Sequence, residues 1–179
     1  TWIDSEEYEK HPEKVKELGS YNALIVPGGF GTRGIEGIIK AIQYARENNL
    51  PYLGLCYGMQ LATVEFARNV LGYKDAHTVE CEPKSKNLII NVNSSQAENI
   101  KKERFGGTMR LGAYECALAE GSLARKLYGA DKISERHRHR YEFDNKYKEE
   151  MEKNGMLVSG VNPQSNLVEI VELKKHPYF

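Results

Sequence analysis

A thiol stands at the centre of Gly54-Leu55-Cys56-Tyr57-Gly58, where a short apolar run meets a stretch patterned as a helix. This G-x-C-x-G spacing is that of a nucleophile elbow with sulfur in place of the more familiar hydroxyl. The turn is too tight for side chains two residues before and after its tip, so glycine fills both positions and the reactive atom is pushed outward. The following helix points backbone N–H groups and its positive end at that tip. Both are expected to favour a thiolate and an oxyanion there. A cysteine that merely packs is a common alternative, but packing gives no reason for the two glycines. Cys81 and Cys116 lack such flanks and read as structural.

Two further segments carry groups that could do chemistry. Pro27-Gly28-Gly29-Phe30-Gly31-Thr32-Arg33-Gly34 is a glycine-rich loop whose backbone could approach a ligand closely, although a plain strand-to-helix turn has the same composition. Glu135-Arg136-His137-Arg138-His139-Arg140-Tyr141-Glu142 alone suggests an anion-binding patch. Its flanking glutamates offset it. Read as a strand, it places Arg136, Arg138, Arg140 and Glu142 on one face and His137, His139 and Tyr141 on the other. That leaves the histidine face as packing rather than catalysis.

The elements that must hold these groups alternate between strand and helix. Tyr21–Pro27 and Pro51–Cys56 read as strands buried on both faces. Between them Ile35, Ile38, Ile39, Ile42 and Ala45 recur at helical spacing, with a stop at Asn48-Asn49. Met59, Ala62, Phe66 and Val70 mark one face of the next helix, which Gly72 is expected to end. The order predicts an α/β fold with parallel strands and right-handed crossovers. Further on, Asn87–Val92 reads as a strand, Ser122–Tyr128 as a short helix ending at Gly129, Ile133–Phe143 as extended, and Lys146–Asn154 as a helix ending at Gly155. Leu157–Val161 and Leu167–Leu173 read as strands around a turn at Asn162-Pro163-Gln164-Ser165. Thr1-Trp2-Ile3-Asp4 reads like a strand already ending. With only two clear parallel strands, parts of the same domain are expected to lie outside both ends.

The totals fit one domain of 179 residues. Lys+Arg and Asp+Glu balance at 25 each, which argues against nucleic acid or an anionic membrane as the main partner. No apolar run reaches the ~18 residues of a membrane span. Three scattered cysteines favour a reducing, cytoplasmic setting over a disulfide framework. Neither C-x-x-C nor H-E-x-x-H spacing is present, so no metal site is expected.

With Cys56 in Gly-Leu-Cys-Tyr-Gly-Met-Gln, the chain resembles the class I (triad) glutamine amidotransferases. The Pro27–Gly34 loop, Gly106-Gly107-Thr108-Met109-Arg110-Leu111-Gly112 and the Glu135–Glu142 run look like signature segments of the glutaminase domain of the CTP synthase family. The resemblance implies a three-layer, flavodoxin-like fold with a central, mostly parallel sheet. It implies hydrolysis of L-glutamine through a thioester on Cys56. The ammonia would pass to a synthetase domain that aminates UTP to CTP with ATP and Mg; no cofactor is implied in the glutaminase domain itself. The whole enzyme would be a homo-oligomer. Gly29 and Tyr57 would supply oxyanion N–H groups, and Tyr57, Gly58, Met59 and Gln60 would line the glutamine site. Glu80 and Arg140 match the remaining substrate contacts. Their charges suit an α-ammonium and an α-carboxylate, though either residue could be an ordinary surface charge.

The resemblance also bears on the proton acceptor. A thiol nucleophile wants a histidine oriented by a carboxylate, and the histidines are His11, His77, His137, His139 and His176. In the resembled family the catalytic pair sits in an F-H-P-E segment. Here Tyr178 follows His176-Pro177, matching the element that precedes that segment, so the base and its carboxylate are expected beyond Phe179. His139 is the next candidate. Two other functions remain open from sequence: a stand-alone γ-glutamyl or cysteine hydrolase on the same elbow, and a regulatory module that keeps the fold without the chemistry.

Overall fold

The two apolar runs around the glycine loop form the strands that carry the elbow. In the computed structural model, which describes residues 1–92 and 109–177, β1 (Leu24–Val26) pairs in parallel with β2 (Tyr52–Gly54), Leu24 opposite Tyr52 and Val26 opposite Gly54. Both are shorter than the apolar runs suggest. They are not fully buried, because Ile25 is exposed and Leu53 and Gly54 are half-buried.

Ahead of β1 lie the short helix α1 (Glu6–Lys10) and a 3-10 turn over Pro12–Ser20. The first four residues are not a strand. Helix α1 escapes the periodicity argument because only Tyr8 of its five residues is apolar and buried.

Helix α2 (Ile35–Glu47) crosses between the two strands and buries Ile35, Ile39, Ile42 and Ala45, the face its spacing marks. It ends at Asn48, as expected. Helix α3 (Tyr57–Asn69) starts directly at the elbow. It buries Ala62 and Phe66 as expected, but also Leu61, Val64 and Glu65, so it is enclosed on more than one face. Its last turn closes on Val70, before Gly72.

Glu65 lies in the core with no exposed area. Arg46 of α2 grips it with a forked pair of N–H groups at 2.8–3.1 Å, and Asn69 donates to it at 3.0 Å. A buried carboxylate persists only with such partners.

The second half builds two further sheets. Strands β3 (His77–Thr78), β4 (Leu88–Val92) and β7 (Tyr141–Phe143) form one, β3 parallel and β7 antiparallel to β4. The other has the order β6-β5-β8-β9 and is antiparallel throughout: β5 is Arg110–Leu118, β6 Lys132–His139, β8 Met156–Val161 and β9 Val168–Leu173. Among the described residues, parallel pairing is thus confined to β1–β2 and β3–β4, and a mostly parallel central sheet is not what these strands form.

Helix α4 (Leu123–Tyr128) is capped by the Ser122 hydroxyl, ends at Gly129, and presents its first N–H groups to the Glu172 carboxylate of β9. Helix α5 (Lys148–Lys153) follows a 3-10 turn at Asn145–Tyr147. The β8–β9 turn closes as expected on Asn162, whose side-chain oxygen accepts from Gln164 N, Ser165 N and the Ser165 hydroxyl.

The expected single extended run over Ile133–Phe143 is two strands. The chain bends at Arg140 and passes from β5 as partner to β4. Strict alternation therefore stops at the bend. Glu142 falls beside His139, 3.8 Å away, not on the opposite face with the arginines. Of the Gly106–Gly112 segment, residues 106–108 lie outside the described residues, as do Tyr178 and Phe179.

Candidate active site

Cys56 has φ 54° and ψ −99°, a backbone state that L-residues rarely occupy and that persists where the surroundings enforce it. The enforcement is steric. A Cβ on Gly54 would lie 2.7 Å from Gly58 C and Met59 N, and one on Gly58 would lie 2.4 Å from the carbonyl oxygen of Val26. The glycines at the elbow are thus required by close backbone approach, and the sulfur is carried out to an exposed position.

The N–H groups of the first turn of α3 divide between structure and site. Gly58 donates to Leu55 O and Gln60 to Cys56 O, whereas the Tyr57 N–H is directed at the Cys56 sulfur. The glycine loop lies against this turn: a Cβ on Gly28 would be 3.6 Å from Cys56 Cβ, and one on Gly29 would be 3.3 Å from the Tyr57 ring. The loop thus packs on the elbow with Gly28 beside Cys56 and Gly29 beside the Tyr57 ring.

The thiol itself is pushed upward in pKa. Partial enclosure in the concave site outweighs the Tyr57 N–H, which pulls it down, and the Glu142 carboxylate adds to the rise. The expectation that the helix end favours thiolate is met in sign by that N–H but not in sum.

Glu80 reaches the loop from the segment after β3, its carboxylate accepting from Gly31 N–H at 3.3 Å. Gln60 donates to Tyr141 O at 3.0 Å, next to Arg140 at the β6–β7 bend. A cavity of about 440 Å³ opens beside Cys56, bordered by Met59, Gln60, His137, His139 and Glu142, with β9 closing the far wall. Gly29, Tyr57, Glu80 and Arg140 are not among the residues bordering it, so the charged pair expected to hold an amino acid lies outside this space.

One cavity wall is a buried charge network that sequence reasoning missed. Arg110 donates to Glu142 at 3.0 Å, to both oxygens of Glu169 at 2.6 and 2.8 Å, and contacts His137 Nδ1 at 3.0 Å. His137 and His139 meet at 3.3 Å through their Nδ1 atoms. Burial raises the Glu142 carboxyl to about 7 against the pull of Arg110. Burial also lowers His139 to about 4, with His137 and Arg110 adding to the fall. No local signal marks this cluster, because His137, Glu142 and Glu169 lie 27, 32 and 59 residues from Arg110 in the chain.

His176 is placed elsewhere, with Nε2 3.0 Å from Ala45 O. Cys116 is buried and its thiol is pushed up to about 11 by burial, in keeping with a structural role. Among the described residues no three His, Cys, Asp or Glu side chains are grouped to hold a metal ion, and no helix is long and apolar enough to cross a membrane.

The glutamine amidotransferase class-I family profile matches residues 2–179. The chain belongs to the class I glutamine amidotransferases. It is similar to the CTP synthase of Cytophaga hutchinsonii, 53% identical over 178 residues that make up 99% of this chain and 32% of that protein. It is also similar to the CTP synthase of Lactobacillus helveticus, 57% identical over 165 residues, 92% of this chain and 30% of that protein. The chain thus spans about a third of the length of these curated relatives. Among solved structures it matches the glutaminase domain of Trypanosoma brucei CTPS with bound acivicin, at a TM-score of 0.91 and 36% identity, covering 100% of this chain and 69% of that one. Within the class I family, this chain is therefore a glutaminase domain of the CTP synthase kind, with the fold of that group.

Proposed function

We propose that this chain hydrolyses L-glutamine at Cys56 and supplies the ammonia to a synthetase domain, which aminates UTP to CTP with ATP and Mg. The observation that carries the reading is the elbow: an exposed thiol in a strained backbone, with the Tyr57 N–H aimed at it and the Gly28-Gly29 loop against it. The sulfur attacks the carboxamide carbon, a C–S bond forms, and the π electrons move to oxygen, where the N–H groups of Gly29 and Tyr57 receive them. Collapse breaks the C–N bond, and the nitrogen leaves as ammonia once protonated. Water then cleaves the thioester to glutamate and returns the thiol.

Glu80 binds the substrate ammonium and Arg140 its carboxylate, with Gly58, Met59 and Gln60 lining the site. His139 borders the same cavity as Cys56, but an imidazole that holds its proton only below about pH 4 is a poor acceptor for a thiol. ATP, UTP and Mg belong to the synthetase domain, and the whole enzyme is a cytoplasmic homo-oligomer.

The test uses the full-length protein. Cys56→Ala is expected to abolish glutamine-dependent CTP formation while leaving CTP formation from free ammonia intact. Glu80→Gln is expected to raise KM for glutamine more than it lowers kcat. Glutamine-dependent turnover that survives Cys56→Ala overturns the proposal.

A further inference from the structure

The side chain of Tyr57 touches the site at a place that its backbone role does not explain. Its ring is buried against Gly29. Its hydroxyl donates to the carbonyl oxygen of Gly31 at 2.6 Å. The Cys81 thiol approaches that same carbonyl at 3.4 Å and the Tyr57 oxygen at 3.5 Å. The N–H of Gly31 is in turn held by Glu80. Gly31 is thus gripped on both sides, at its N–H and at its C=O, in a left-handed conformation with φ 82° and no neighbour within 4 Å of a would-be Cβ. Backbone state, not space, makes it glycine.

We propose that the Tyr57 phenol is a positioning residue for glutamine hydrolysis, pinning the Gly31 carbonyl so that the Gly29 N–H and the Glu80 carboxylate are held in register with Cys56. This deepens the glutaminase reading and rests on it. Two links of the site sit on one loop, and that loop is tied to the first turn of α3 through this hydroxyl. The only other donor to the Gly31 carbonyl among the described contacts is a thiol, a weak one. The phenol donates across the working pH range, because burial, then the Cys81 hydrogen bond and the nearby thiol and carboxylate, push its pKa far up.

Tyr57→Phe keeps the ring and removes only the hydroxyl. In the full-length protein it is expected to lower glutaminase kcat/KM about three- to tenfold, mostly in kcat, as the loss of one net hydrogen bond implies. Amide exchange across residues 28–34, read by mass spectrometry, should quicken. The double variant Tyr57→Phe/Glu80→Gln should lose less than the product of the two single effects, because both side chains hold one peptide. A residue that merely packs would give multiplicative effects and unchanged exchange.

Values of kcat and KM within twofold of the unaltered protein overturn the proposal, and so do strictly multiplicative losses. Cys56→Ala separates the two readings. If it is inactive while Tyr57→Phe is unaffected, only the tyrosine role falls. If it still releases ammonia, the glutaminase reading itself falls.

Discussion

Substituting Gly58 by alanine tests the elbow most directly. Helix propensity alone would make the change favourable by at most ~1 kcal/mol, since alanine replaces glycine at the second residue of α3. Sterics oppose it. The new Cβ would lie 2.4 Å from Val26 O, against ~3.3 Å or more for a tolerable carbon–oxygen contact, so the carbonyl must retreat by roughly 1 Å. That carbonyl accepts the Leu55 N–H at 2.9 Å, a bond worth about 1 kcal/mol net. Overpacking of this kind costs about 1–3 kcal/mol. The sum is a net loss of about 1–3 kcal/mol in stability. Val26 is also the last residue of β1, directly ahead of the glycine loop, so the shift is passed to Gly28 and Gly29. A misplacement near 1 Å costs on the order of 10²-fold in rate. Urea unfolding and steady-state ammonia release, each normalised to folded protein, read the two effects. A Gly58→Ala protein as stable as the original and within a few-fold of its turnover would refute the steric account of the elbow.

Three further outcomes follow from the buried charges. Arg46→Ala leaves the Glu65 carboxylate without its forked partner and should cost about 3 kcal/mol by chemical denaturation, whereas replacing both residues by apolar ones of similar size should cost less. Glu142 is raised from 4.5 to about 7, so its contribution to stability is full below 4.5 and is lost as pH rises through 7. His139 is lowered from 6.5 to about 4, so its contribution is full above 6.5 and is lost as pH falls through 4. The two slopes oppose, and His137, lowered by burial in the same sense as His139, adds to the rise, so with Arg110 and Glu169 also facing Glu142 stability should climb only gently with pH between 4.5 and 6.5. Glu142→Gln should make stability climb more steeply with pH across that window, and a curve parallel to the original would contradict the assignment. Iodoacetamide modification of Cys56 should follow a titration centred above the ordinary thiol value of 9.0, and Glu142→Gln should bring that midpoint down.

Where a residue pattern expresses a local steric demand, the sequence is readable. Gly54 and Gly58 are obliged by backbone contacts within a few residues, so the elbow, its helix and Cys56 are legible from spacing alone. Asn162 and Ser122 declare their turn and cap for the same reason. Strand β5 is not legible. It opens on Arg110, a charged residue that is 7% exposed, and hydropathy assigns such a residue to the surface. Only the distant carboxylates of Glu142 and Glu169 make its burial tolerable. The faces of the Glu135–Glu142 run do not follow one alternation, because alternation holds along a single strand and the bend at Arg140 divides two. Glu80 and Arg140 carry no local pattern at all, and their expected roles rest on resemblance alone.

The bend at Arg140 gives the chain one continuous backbone shared by two sheets. Residues before it complete the antiparallel layer and residues after it complete the β3-β4-β7 layer, while Tyr141 O anchors Gln60 of the nucleophile helix. The spacing between those layers is therefore metered by peptide geometry rather than by replaceable side chains. For protein engineering, a one-residue insertion at Arg140 would throw both registers out together. The exposed turn at Pro163–Ser165 offers the contrasting case, a splice point for tags or reporter loops where added length is absorbed outside the layers.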